Sequence, residues 1–294
     1  EDIWEEGPLE ELSKLNVKYV VCVNASPYEF DKTKNKFKII QNRLDKLNDF
    51  NLIYLNSVGG QDELLFDGNS FITKPKKHKP NNLPFFSGQF ISQHIIADFS
   101  KKNHIEITRK YNKFPFHRNI LEDPITQINS KNEEKFLIYN LLNGLILAMR
   151  DYIEKNSIKK LFLGLSGGID SAVVLFIASK VISREKITAI MMPSEFTSDV
   201  SLKDAKKLAL NLGVNYKSIS IQKHIKNFEA TFKKDFQGLK KDITEQNIQA
   251  RIRGVILMAY ANKFKGMVLA TGNKSEMAVG YSTIYGDMVG GFSI

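Results

Sequence analysis

The sequence predicts an α/β chain of two domains, the second built on a doubly wound parallel sheet. Three observations carry this. From residue 161 onward, apolar runs of strand length alternate with amphipathic helical stretches, the pattern of βαβ units. The first of those runs, Leu161–Gly164, breaks at Ser166-Gly167-Gly168, and an apolar helical pattern restarts after Asp170-Ser171: strand, tight glycine turn, helix. With 294 residues, 43% hydrophobic and 25% charged, the chain is long enough for two cores and has an ordinary globular composition.

In chain order, Val17 to Val23 reads as a buried strand, Asn24 to Tyr28 as a turn, and Lys32 to Leu47 as a lysine-rich amphipathic helix. Asn51 to Ser57 is a second strand. Gly59-Gly60 then turns the chain, and Leu64–Phe66 with Ser70–Ile72 form a hairpin around Asp67-Gly68. Ile91 to Phe99 is a last strand of the first domain, residues 1–105. Residues 106–130 hold Pro115 and Pro124 and little periodicity, so they read as a linker. The second domain, 131–294, opens on a helix from Glu133 to Glu154, with Phe136, Tyr139, Leu142, Leu145, Ile146 and Met149 at helical spacing. After the glycine turn come strand Lys186–Met192, helix Leu202–Leu212, strand Tyr216–Ile221, helix Gln222–Phe236, helix Glu245–Phe264 and strand Gly266–Ala270.

Bulk numbers exclude several classes. No apolar run approaches the length of a membrane span, so no membrane partner is expected. The single cysteine, Cys22, excludes an intramolecular disulfide and fits a reducing cytoplasm. Cys22 sits in an apolar strand with no basic neighbour to favour its thiolate, so it reads as a small buried hydrophobe rather than a nucleophile. The net charge of +10 is scattered. The densest run, Lys74 to Pro80, lacks interleaved aromatics and reads as a solvated hairpin tip, so no nucleic acid is expected.

The glycine turn carries the chemistry. Gly167 and Gly168 allow backbone to approach an anion, Ser166 and Ser171 add hydroxyls, and the following helix begins there, as a phosphate site requires. Asp170 repels phosphate unless a cation bridges them, and Mg²⁺ is the natural bridge. Gly-x-x-x-x-Gly-Lys is missing, so this is not the common mononucleotide loop. Ligands of open parallel sheets sit beyond the carboxyl ends of strands. Ser166 and Thr271 each follow a strand end, so they fall near one site.

Ser166-Gly-Gly-Ile-Asp-Ser171 resembles the pyrophosphate loop of ATP pyrophosphatases. Together with Asn247-Ile-Gln-Ala-Arg-Ile-Arg253, Leu269-Ala-Thr-Gly-Asn-Lys-Ser-Glu276 and Tyr285-Gly-Asp-Met-Val-Gly-Gly291, it resembles the synthetase domain of NAD⁺ synthetases. Glu1-Asp-Ile-Trp4, Asn24-Ala-Ser-Pro-Tyr28 and Gly59-Gly-Gln-Asp-Glu-Leu64 resemble the nitrilase-like amidase domain of the glutamine-dependent branch. The resemblance implies part of a nitrilase-like α/β sandwich followed by part of an adenine-nucleotide-hydrolase-like sheet. It implies a carbon–nitrogen ligase that adenylates deamido-NAD with ATP and amidates it with ammonia from glutamine.

By the same resemblance, Gly164, Leu165, Ser166, Gly167, Gly168, Ile169, Asp170, Ser171 and Thr271 hold ATP. Asn247, Arg251, Glu276 and Asp287 meet deamido-NAD, Asp170 and Glu276 hold Mg²⁺, and Lys274 is a further phosphate candidate. Ser26 and Lys32 meet glutamine. The amidase Cys, Glu and Lys of the family fall before residue 1, so the chain is expected to be a piece truncated at both ends. A homodimer through the synthetase domain is implied. Glu195 stands where the family usually has a basic residue, which implies weaker ATP binding or a repositioned loop. A tRNA-modifying pyrophosphate-loop enzyme and a non-catalytic nucleotide-binding fragment are the alternatives.

Overall fold

The computed structural model describes residues 3, 5–30, 32–47, 50–75, 85–99, 106–110 and 133–293. The tip at 76–80, most of the expected linker (111–130), and Glu1, Asp2 and Trp4 of the first motif lie outside them. The chain forms two compact units, Glu1–Asp151 and Tyr152–Ile294. No helix among the described residues is long and apolar enough to cross a membrane.

The first unit contains α1 (Pro8–Lys14), β1 (Tyr19–Asn24), α2 (Lys32–Leu44), β2 (Asn51–Asn56), β3 (Val58–Gln61), β4 (Leu64–Asp67), β5 (Phe71–Thr73), β6 (Phe85–Phe86), β7 (His94–Asp98), β8 (Glu106–Lys110) and most of α3 (Glu133–Lys155). One sheet runs β1-β2-β5-β6, with β1 and β2 parallel and joined through α2, and the other pairs antiparallel. Its core joins Leu9, Ile40, Leu44, Leu52, Tyr54 and Phe71, the last two stacked at 4.7 Å.

Several readings of this unit need correction. β1 is buried on one side only: Val20 points into the core, whereas Tyr19, Val21 and Val23 are exposed. Its apolar run therefore records β-propensity and one covered face. Cys22 is half-buried and accepts a 3.0 Å hydrogen bond from Asn24. Gly59-Gly60 do not turn the chain; they lie within β3, which pairs with β4 around Asp62-Glu63. The glycines serve helix contact instead: the Gly60 N–H donates to Asp151 Oδ2 at 2.7 Å, and a Cβ at Gly60 would stand 2.8 Å from the Ala148 Cα. β5 pairs with β2 rather than with β4. Residues 106–110, expected in the linker, form β8 against β7, a strand too short to stand out beside the prolines that follow.

The second unit contains β9 (Leu161–Gly164), α4 (Ile169–Val181), β10 (Ile187–Met191), α5 (Asp199–Leu212), β11 (Asn215–Ser218), α6 (Gln222–Thr231), α7 (Ile243–Phe264), β12 (Met267–Ala270), α8 (Lys274–Ala278) and β13 (Phe292–Ser293). The sheet is entirely parallel, in the order β11-β10-β9-β12-β13. Successive strands step away from β9 in one direction and then, with β12, in the other. The order therefore reverses between β9 and β12, where open sheets bind ligands. Phe162, Ile190, Ile225, Ile252, Leu257 and Val268 form a core between α6, α7 and the sheet. The helix expected to reach Phe236 ends at Thr231 and continues as turns. The stacked rings of Phe232 and Phe236 at 5.1 Å account for the helical spacing seen there.

Candidate nucleotide site

β9 ends at Gly164, and the Leu165 N–H still donates to the Ile190 carbonyl at 3.0 Å, which ties the start of the loop to β10. The chain then turns through Gly167, whose φ of +85° is a left-handed conformation. A Cβ there would stand 2.6 Å from the Ser201 carbonyl oxygen in the first turn of α5, so only glycine admits this contact. Gly168 caps α4 without a side-chain bond. The loop is closed by hydroxyls: Ser166 Oγ lies 3.1 Å from Ser171 Oγ and accepts from the Gly168 N–H at 3.1 Å, and Ser171 Oγ donates to the Gly168 carbonyl at 3.1 Å. Ser171 is buried and Ser166 exposed, so Ser171 shapes the loop from beneath while Ser166 faces outward. The first-turn N–H groups of α4 have no acceptor within the helix, and with the dipole they favour an anion here.

Asp170 and Glu276 approach from α4 and α8 and share one neighbour, Asn273. Asn273 Nδ2 stands 3.5 Å from Asp170 Oδ1. Its Oδ1 accepts from the Glu276 N–H at 2.9 Å, and its own N–H donates to Glu276 Oε2 at 3.1 Å, a reciprocal cap on α8. No group of three or more His, Cys, Asp or Glu suited to a metal occurs among the described residues. Two hard carboxylates beside the Gly167 turn are of the kind that suit a hard cation such as Mg²⁺.

Beyond the strand ends lies a cavity of about 350 Å³ lined by Gly164, Leu165 and Ser166, by Met191, Met192 and Thr197 after β10, by Thr271 after β12, and by Gly286, Asp287 and Val289. Helix α7 contributes Ala250, Arg253, Gly254 and Leu257. The structure thus brings Gly164, Leu165, Ser166, Thr271 and Asp287 to one cavity. Asn247 and Arg251 are absent from its lining and hold the neighbouring loop: Thr283 Oγ1 donates to Asn247 Oδ1 at 2.9 Å, and Arg251 Nε to the Ile284 carbonyl at 3.3 Å. The Asp287 carboxylate accepts from the Thr283 N–H at 2.6 Å. That loop lies backbone to backbone on α7: a Cβ at Gly254 would stand 2.9 Å from the Tyr285 carbonyl oxygen, and one at Gly286 2.8 Å from the Ala250 Cβ.

Sequence reasoning missed Arg253. Of the cavity-lining residues it is the cationic one; its Nε donates to the Met192 carbonyl at 3.3 Å, and burial pulls its pKa below the ordinary guanidinium value. The signal was present: Ala250, Arg253, Gly254 and Leu257 fall at i, i+3, i+4 and i+7, one helix face carrying an arginine on an otherwise apolar stripe. Glu195 is not among the lining residues. Its N–H donates to Gln222 Oε1 at 2.9 Å, and its charge, with those of Glu229 and Glu245, helps raise the pKa of Lys241. In the first unit, Ser26 follows β1 and Lys32 opens α2; the Lys32 side chain lies outside the described residues.

Curated relatives share this chain throughout. It is 39% identical over 294 residues to the glutamine-dependent NAD(+) synthetase of Acinetobacter baylyi, covering all of this chain and 50% of that protein. It is 37% identical to that of Aquifex aeolicus, covering 53% of it. The chain therefore spans about half the length of the curated relatives it matches. The glutamine-dependent NAD⁺ synthetase of Acinetobacter baumannii, solved with adenosine diphosphate, superposes with a TM-score of 0.81 at 36% identity, over 99% of this chain and 51% of that one. The enzyme from Cytophaga hutchinsonii shares the fold at a TM-score of 0.69 and 20% identity, over 95% of this chain and 52% of that one. The model of the NAD synthase family matches residues 141–294, just over half the chain and every element of the cavity, and the chain belongs to that family.

Proposed function

We propose that the intact protein is a ligase that makes NAD⁺ from deamido-NAD, ATP and glutamine-derived ammonia. The nicotinate carboxylate attacks the α-phosphorus of ATP, pyrophosphate leaves, and ammonia attacks the acyl-adenylate to release AMP. The observation that carries this reading is the Ser166–Ser171 loop, which opens at the strand-order reversal onto a cavity lined by Thr271 and Asp287. The loop and the first turn of α4 offer donors fixed before the substrate arrives, and such donors stabilise developing charge without reorganisation. Asp170 and Glu276 would hold Mg²⁺, which neutralises phosphate oxygens when bound. Thr271 and the loop residues from Gly164 to Ser171 orient ATP.

Asn247 and Arg251 act on deamido-NAD through the 283–287 loop they hold, and Asp287 meets it at the cavity wall. Ser26 and Lys32 serve glutamine in the first unit. The exposed Val255 and Met258 of α7 fit a homodimer built on this helix. The reducing cytoplasm fits a chain with one unpaired cysteine. The test is isotopic exchange between ATP and pyrophosphate in the intact protein. Exchange that requires deamido-NAD is expected; exchange that requires tRNA instead, or none with deamido-NAD present, would overturn the reading.

A further inference from the structure

Beneath the Ser26 loop runs a chain of side-chain hydrogen bonds that no step of the reaction uses. Asn56, at the end of β2, grips the Ser26 residue from both sides. Its Oδ1 accepts from the Ser26 N–H at 2.8 Å, and its Nδ2 donates to the Ser26 carbonyl at 3.2 Å. The same Nδ2 donates to Asp67 Oδ1 at 3.2 Å. Asp67 Oδ2 accepts from Gln89 Nε2 at 3.2 Å, and Gln89 Oε1 accepts from Asn140 Nδ2 of α3 at 3.1 Å.

Asp67 is 1% exposed and Asn56 9%. Asp67 Oδ1 takes the Nδ2 end of the Asn56 amide and so helps fix which way it faces, and hence that its Oδ1 meets the Ser26 N–H. β1 has ended at Asn24, so strand pairing no longer holds the chain at Ser26. One side chain replaces it, satisfying a donor and an acceptor that a loop would otherwise leave to water. Pro27 has no N–H to offer, and the next tether is the Tyr28 N–H on the Leu65 carbonyl at 2.6 Å.

We propose that Asn56, oriented by Asp67, is a positioning residue that sets the Ser26 loop for glutamine. This rests on the role given to Ser26 above. A network kept for stability alone is replaceable by apolar packing at little cost; one that aims a substrate-binding backbone is not.

The experiment measures steady-state kinetics of the intact protein with glutamine and, separately, with ammonium as the nitrogen source. Asn56→Ala is expected to raise KM for glutamine about tenfold or more while ammonium-driven turnover stays within about twofold, because ammonium bypasses the Ser26 loop. Unchanged KM for glutamine would overturn the proposal. If Asn56→Ala loses both activities together, Asp67→Asn decides. A rise in glutamine KM with ammonium turnover retained supports the positioning role, and equal losses or no change refute it. A wild-type protein that uses ammonium but not glutamine would instead refute the glutamine reading itself.

Discussion

Gly167→Ala is the sharpest probe of the phosphate loop, because Gly168→Ala is its built-in control. At Gly167 two costs act together. A side chain at φ +85° carries the left-handed penalty of roughly 1–2 kcal/mol. Its Cβ would also stand 2.6 Å from the Ser201 carbonyl oxygen and 2.8 Å from the Ser201 Cα, both backbone atoms that move only with α5. Relieving such overlap costs a further 1–3 kcal/mol or so, for a total of about 3 kcal/mol. In a unit of this size that lowers Tm by roughly 6–12 °C. At Gly168, φ is −84° and the nearest atom to a new Cβ is Ser166 Oγ at 3.2 Å, a side chain able to rotate, so the cost stays below about 1 kcal/mol. Calorimetric melting of both variants, with ATP binding by titration calorimetry, separates them. Gly167→Ala should lose stability and ATP affinity together. If it melts within about 2 °C of the wild type and binds ATP normally, the left-handed turn and the α5 contact are both wrong.

Three further outcomes follow from the same geometry. Asp170→Asn should abolish the dependence of ATP affinity on Mg²⁺ while leaving the melting curve in place; a Mg²⁺ titration that still strengthens ATP binding removes Asp170 from the cation site. Arg251→Ala should weaken deamido-NAD on the order of tenfold, with ATP little changed, because the loop it braces loses one charge-assisted bond; equal losses for both ligands would refute its role. Burial, with Cys22 and Asp67 nearby, pushes the Tyr54 phenol from 10.0 up to about 12. The unfolded chain gives up that proton first, so the contribution is whole below about pH 10 and is lost as pH rises towards 12, at most about 3 kcal/mol. Urea midpoints at neutral pH and near pH 11 should diverge for the wild type more than for Tyr54→Phe, and parallel curves would contradict the shift.

The second unit was legible because local and global signals agree there. Its central strands β9, β10 and β12 are near-continuous apolar runs, as strands of a parallel sheet covered on both faces are. The first unit was harder. Gly59-Gly60 looks like a turn in sequence, and only the nearness of Ala148, far along the chain, makes it strand. Asp67-Gly68 carries a hairpin signature, yet β5 pairs elsewhere because Phe71 stacks on Tyr54 of β2. In the site, the loop and Thr271 were readable because each directly follows a strand. Arg253 showed only its helical spacing there, since its significance depends on which face of α7 lines the cavity, a fact of tertiary packing. Glu195 shows the converse: a residue that reads as a hostile charge in the sequence lies outside the cavity lining, with its backbone N–H bonded to Gln222.

Gly254 meets the Tyr285 carbonyl and Gly286 meets the Ala250 Cβ, so at these two points of the cavity the glycine main chain itself makes the contact. Main chain has no side chain to exchange. Any residue larger than glycine at these two points pushes the loop off the helix instead of reshaping the hollow, so both are closed to gradual variation. New ligand preference has to be written on lining side chains such as Met191, Met192 and Thr197, where a change alters the space and leaves the scaffold standing.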